Sequence, residues 1–178
     1  MRQSWAAPVP PSHITDGAAY LSSTSLTDVS PLPPIKIGAN GFDVGTEFEL
    51  YAEGQFSNTG TPTLILGFYW GGVAGVALAA SGAITTITGA TAWPWQMAYR
   101  GTVRAIGTAG SVQGQGRLYM PASLTQFQAA YAIPATLALR TVAIDTSIEK
   151  TITVGAQWSA NSASNTLTCT NISVQIIT

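Results

Sequence analysis

The sequence predicts an all-β chain, a two-sheet β-sandwich of jelly-roll type carrying an extended Pro-rich N-terminal arm, and three observations lead there. The first is the period of Trp93 to Met120. Trp95, Met97, Tyr99, Gly101 and Val103 fall on one face and Gln96, Ala98, Arg100, Thr102 and Arg104 on the other, the pattern of a strand with one buried side. After Gly107-Thr-Ala-Gly110 the alternation resumes with Val112, Gly114, Gly116, Leu118 and Met120, so a turn sits where a hairpin needs one. The second is that strand-length segments follow one another beyond Val44 with turn signals between them and no long helical pattern, which favours a sandwich over a propeller. No segment recurs at a fixed period, as a solenoid requires. The third is the contrast at Val44, before which Pro8, Pro10, Pro11, Pro31, Pro33 and Pro34 break up an aperiodic Ser- and Thr-rich stretch.

That contrast divides the chain into an arm over 1–43 and a sandwich domain over 44–178. A Pro-spaced segment of this kind is extended rather than folded on itself. It nevertheless carries Trp5, His13, Tyr20, Leu21 and Leu26, more anchoring side chains than a solvated linker has. These five are the candidate contacts through which the arm docks on a neighbour.

Within the domain, Thr46 to Ser57 is the clearest half-buried strand, with Phe48, Leu50, Ala52, Gly54 and Phe56 opposite Glu47, Glu49, Tyr51, Glu53 and Gln55. Thr63 to Trp70 is almost continuously apolar and rich in β-formers, as expected of a strand covered on both faces. Val73 to Ala80 pairs back across Gly71-Gly72, and Ala83 to Gly89 is a further strand or edge segment. Beyond the 93–120 hairpin, Pro121 to Pro134 reads as a short helix or compact loop, and Leu137 to Asp145 and Lys150 to Ser159 as strands joined by the turn Thr146-Ser147-Ile148-Glu149. The last strand, Thr166 to Ile177, changes phase near Asn171, from Leu167 and Cys169 to Ile172, Val174 and Ile176, which a β-bulge produces. Gly101, Gly114 and Gly116 on inward faces leave room for bulky neighbours or for close backbone approach.

Composition narrows the function classes. Charged residues make up 8% of the 178, against about 25% in an average protein. A monomer so poor in charge has a weakly solvated surface and unguarded sheet edges, so neighbouring subunits are expected to cover much of it. A net charge of -1 gives no basic patch for nucleic acid or an anionic membrane, and neither is an expected partner. Leu64 to Ile84 is apolar enough to be weighed as a membrane span, but Gly67, Gly71, Gly72, Gly75 and Gly82 interrupt it and no basic residues flank it. Two buried strands fit better. The first dozen residues lack the apolar core of a signal peptide.

No catalytic, cofactor or metal constellation is expected. The single cysteine, Cys169, is read as a small core residue, and the single histidine, His13, lies in the arm. Glu47, Glu49 and Glu53 share a strand face at about 7 Å spacing, which raises a glycosidase carboxylate pair or an oxygen-ligand cation site. The competing reading, favoured here, pairs them across strands with Arg100 and Arg104. Trp93, Trp95 and Tyr99 form either a subunit contact or a glycan-stacking platform, with Trp95 in the core on the first reading.

The runs FSNTGTPTLILGFYWGG, ALAASGAITT, WPWQMAYRGTVRAIGTAGSVQGQG and KTITVGAQWSANSASNTLTC resemble a family of small virion proteins of bacteriophages that infect actinobacteria, proteins encoded near capsid and tail genes. The resemblance spans most of residues 44–170. It implies a jelly-roll subunit, a homotrimer, and a non-enzymatic capsid decoration or minor capsid protein bound to the major capsid protein on the virion surface. The alternative is a carbohydrate-binding head-fibre or tail protein that contacts the host.

Overall fold

The computed structural model describes residues 15–21, 23–121 and 129–177. In chain order the strands are β1 (Tyr20–Leu21), β2 (Thr27–Asp28), β3 (Ile35–Ile37), β4 (Glu47–Ser57), β5 (Thr63–Trp70), β6 (Val76–Ala80), β7 (Ile84–Thr85), β8 (Trp93–Ala105), β9 (Gly110–Met120), β10 (Ala129–Ile133), β11 (Thr141–Ile144), β12 (Lys150–Trp158) and β13 (Thr166–Ile177). The regular helical structure among the described residues is a single 3₁₀ turn, Leu137–Arg140. Every strand pairing is antiparallel.

Two sheets result. The larger has seven strands in the order β1-β13-β4-β8-β9-β10, with β11 also on β9; the smaller has six in the order β2-β12-β5-β6, with β3 on β12 and β7 on β5. The all-β sandwich expected from the sequence is therefore what the chain forms, although the jelly-roll type is a finer statement than this strand order supports. Alternation explains the layers: β4 and β8 bury every second side chain, and those side chains face the smaller sheet. Phe48, Leu50, Phe56, Trp95, Met97 and Leu118 from one sheet meet Leu64, Leu66, Phe68, Val154 and Trp158 from the other in one continuous core. Burying an aliphatic or phenyl side chain is worth about 1.5–3 kcal/mol, so this core supplies the main stabilising term.

The central hairpin is as expected: β8 and β9 pair from Gln96↔Tyr119 to Ala105↔Ser111. The Tyr99 ring occupies the space that Gly101 and Gly114 leave, since a Cβ on Gly114 would lie 2.3 Å from the Tyr99 hydroxyl and one on Gly101 2.9 Å from the ring. Gly116 serves close backbone approach, because a Cβ there would lie 2.0 Å from the Ala98 carbonyl oxygen. The expected bulge in β13 lies between Cys169 and Asn171. Cys169 is buried, its thiol is pushed up to about 12 by burial, and it stays protonated at neutral pH.

Residues 15–43 differ from the expected arm. β1 adds to the larger sheet at Tyr20↔Leu167, whereas β2 and β3 add to the smaller sheet at Gly155↔Asp28 and Ile152↔Ile35. The segment thus crosses from one sheet to the other and straps their edges together. Backbone bonds hold it, with Gly17 N donating to Cys169 O and Val29 N to Val154 O, both at 2.9 Å. Val154 N in turn donates to Ser30 Oγ at 2.8 Å. Phe42 closes the strap by stacking on Phe48 of the larger sheet at 5.3 Å and on Trp70 of the smaller at 5.9 Å. Val44 is consequently no boundary between an arm and a domain in the described chain. These strands are two or three residues long, too short for a period to show, and their anchors are single side chains between prolines.

Two further elements depart from expectation. Ala129–Ile133, read as helix or loop, is β10 on β9. Leu137–Arg140, read as the start of a strand, is the 3₁₀ turn, and only Thr141–Ile144 extends along β9. The 64–84 stretch folds as β5, a turn and β6, and among the described residues no helix is long and apolar enough to cross a membrane.

Candidate functional site

One end of the sandwich is built by three loops distant in sequence, 38–46, 106–109 and 145–149, and Thr146 ties them together. Asn40 N donates to Thr146 O at 2.8 Å, Thr146 N to Gly107 O at 3.0 Å, and Gly107 N to Thr146 Oγ1 at 2.7 Å. Next to it, Asp145 accepts from Ser147 N at 2.9 Å and Ser147 Oγ at 2.6 Å, and these bonds hold its carboxyl below the usual carboxylate range. The loops are therefore fixed, and they are fixed in an unusual posture: Val44 is 62% exposed, Ile106 50% and Ile148 50%. Val76, at the start of β6 beyond the 71–75 turn, stands at the same end, where Gly71 N bonds Thr151 O. Exposed apolar side chains are ordinary when scattered, but several displayed together from a rigid support mark a contact surface.

The outward face of the larger sheet offers a second feature, an open groove of about 930 Å³. Register explains it. Across the strands, Tyr51 of β4 stands opposite Ala98 of β8, Ala98 opposite Arg117 of β9, and Arg117 opposite Ala132 of β10. In the next row, Tyr119 stands opposite Ala130. Small side chains at Ala98, Ala130 and Ala132 thus make a floor between longer ones, and Glu49, Arg100, Gln113, Gln115 and Arg140 also line the groove.

Electrostatics on this face are divided. Arg100 binds Glu47, and Glu49 at 3.4 Å, and the Glu47 bond and charge raise its guanidinium further. Glu53 accepts the Tyr51 hydroxyl at 2.6 Å, and the Tyr51 phenol is pushed up to about 12 by burial, that bond and the nearby carboxylate. Tyr51 is thus a hydrogen-bond donor rather than a base. Glu47 and Glu49 pair across strands as expected, through Arg100 but not Arg104, which makes no ion pair among the described residues, whereas Glu53 is engaged by Tyr51 of its own strand. On the opposite flank Arg117 bonds the Tyr119 hydroxyl at 3.4 Å, and neither Arg117 nor Arg140 has a carboxylate within 4 Å among the described residues. No group of three or more His, Cys, Asp or Glu among those residues could hold a metal ion.

The residues singled out from the sequence fall elsewhere. Trp5, His13 and the side chain of Leu21 lie outside the described residues. Tyr20, expected to reach a neighbour, is 4% exposed, and its single hydroxyl proton is shared within its own chain between the Ser23 and Ser25 carbonyl oxygens. Leu26 is half-buried, close over Gly155 of β12. Trp95 and Tyr99 are 1% and 2% exposed, and Trp93 is half-buried against the core. A sugar cannot stack on rings that the sandwich already covers, so the inward alternation of β8 removes Trp95 and Tyr99 from a glycan platform and leaves Trp93, half-buried at the start of the strand. The apolar end was missed because its side chains come from three separate loops. The groove was missed because its floor needs β10, whose own alternation, Ala130 and Ala132 against Tyr131 and Ile133, was the available signal.

No protein-family model matches the chain, and no curated protein does. Among solved structures, a mutant alginate lyase in complex with an alginate trisaccharide is similar at 12% identity, over 90% of this chain and 80% of that one, with a TM-score of 0.30. A likeness at that level carries no argument about what this chain does.

Proposed function

We propose that this protein is a non-enzymatic structural component of a phage virion, a decoration protein that assembles as a homotrimer, docks on the major capsid protein and stabilises the head. The observation that carries the reading is the rigid apolar end, where Val44, Ile106 and Ile148 project from loops that Thr146 holds together. A surface ordered before it meets its partner loses little entropy on binding, and on a capsid lattice many such contacts act together. The low charge content suits a protein whose surface is largely covered in the assembly, and the engaged state of Glu47, Glu49 and Glu53 suits a scaffold better than a hydrolase. Residues 1–14, with Trp5 and His13, are the part of the sequence-based arm still assigned to neighbour contact.

The paired substitutions Ile106→Ser and Ile148→Ser test the docking surface by co-sedimentation with undecorated heads. Each side chain is half exposed, so folding is expected to be preserved while capsid binding falls at least about tenfold, since buried aliphatic anchors contribute about 1–2 kcal/mol each to an interface. Undiminished co-sedimentation of a folded double variant would show that another surface attaches the protein. The carbohydrate-binding reading is favoured by a different observation, the groove on the outward face.

A further inference from the structure

We infer that the groove on the outward face of the larger sheet binds an acidic polysaccharide, a polymer with carboxylate-bearing sugar units. The inference stands on the groove and not on the capsid reading, and it gives the carbohydrate-binding alternative a site other than Trp93, Trp95 and Tyr99.

Shape comes first. Ala98 on β8 and Ala130 and Ala132 on β10 make low ground on either side of β9, from which Arg117 and Tyr119 rise, and Tyr51 on β4 closes one side. Four strands at about 4.8 Å spacing give a track about 15 Å across, open to solvent, which suits a chain lying along the surface better than a small molecule enclosed in a cavity. Chemistry comes second. Sugars are held by planar polar groups and flat aromatic faces, and the lining supplies guanidinium, amide and phenol groups: Arg117, Arg140, Gln113, Gln115 and Tyr119. Glu49 adds an acceptor for sugar hydroxyls.

Charge selects the ligand. Arg117 and Arg140 lack carboxylate partners among the described residues, and an arginine fork pairs with a carboxylate through two parallel bonds. The β4 flank is acidic, with Glu47, Glu49 and Glu53. A nucleic acid needs a broad basic track for closely spaced phosphates, and the acidic flank and net charge of -1 oppose it. A uronate chain, with a carboxylate on every sugar or every second sugar, can place its charges over Arg117 and Arg140, which have no carboxylate partner among the described residues, and turn its hydroxyls toward the rest.

The test is isothermal titration of the full chain with polygalacturonate and with hyaluronate, against neutral dextran and a single-stranded oligothymidylate. At least one of the two uronates is expected to bind, more weakly as salt rises, while dextran and the oligonucleotide do not. Arg117→Gln combined with Arg140→Gln is expected to weaken that binding at least about tenfold. Ala98→Trp, which fills the floor from an exposed position, is expected to abolish it with melting temperature unchanged. Absence of binding to both uronates, equal binding of dextran or the oligonucleotide, or binding untouched by these substitutions would each overturn the inference.

Discussion

Removing residues 1–43 is expected to abolish cooperative folding. The deletion takes away β1, β2 and β3 together with Tyr20, Val29, Ile35, Ile37 and Phe42, all buried in the shared core. At about 1.5–3 kcal/mol per side chain these contribute about 8–15 kcal/mol, comparable with the whole folding free energy of a typical domain, about 5–15 kcal/mol. The loss is also structural, because Phe42 bridges Phe48 and Trp70 across the two sheets. The 44–178 chain should therefore lack near-ultraviolet circular dichroism and a sigmoidal thermal transition. A cooperative melt at the full chain's temperature would show that the strap is dispensable and that the sequence-based boundary at Val44 was right after all.

Gly116→Ala is expected to destabilise the protein by about 3 kcal/mol, the upper range for overpacking. The obstacle is backbone: a Cβ would lie 2.0 Å from the Ala98 carbonyl oxygen and 2.7 Å from the Tyr99 Cα, so β8 and β9 would have to separate in the middle of the larger sheet. For a chain of this size that is a fall in melting temperature of about 6–12 °C. Gly38→Ala provides the control, since nothing lies within 4 Å of a Cβ there. It should be neutral or add up to about 1 kcal/mol by restricting the unfolded chain. Equal melting temperatures for the two variants would refute the close approach of β8 and β9 at Gly116.

What the sequence made legible follows strand length. β4, β8, β9, β12 and β13 are nine to thirteen residues long, enough for a two-residue period to repeat, and even the bulge at Asn171 could be read from a phase change. β1, β2 and β3 could not be read this way. They exist because β12 and β13 offer free edges, and Tyr20 or Ile35 is a core residue only once that pairing is known. The same limit applied to the surfaces. The alternation that turns Gly116, Leu118 and Met120 inward leaves Arg117 and Tyr119 on the outward face, but the groove around them depends on Ala98, Ala130 and Ala132, brought alongside by register. The apolar end depends on Thr146 joining loops about forty to a hundred residues apart in the chain, a contact for which local periodicity carries no signal.

The proposed role as a decoration protein of the phage head is decided by quantitative mass spectrometry of purified virions. A decoration protein should be present at a copy number comparable with that of the major capsid protein, and be released when heads are stripped under conditions that leave tails attached. A copy number of a few per particle, retention with isolated tails, or absence from virions would contradict it.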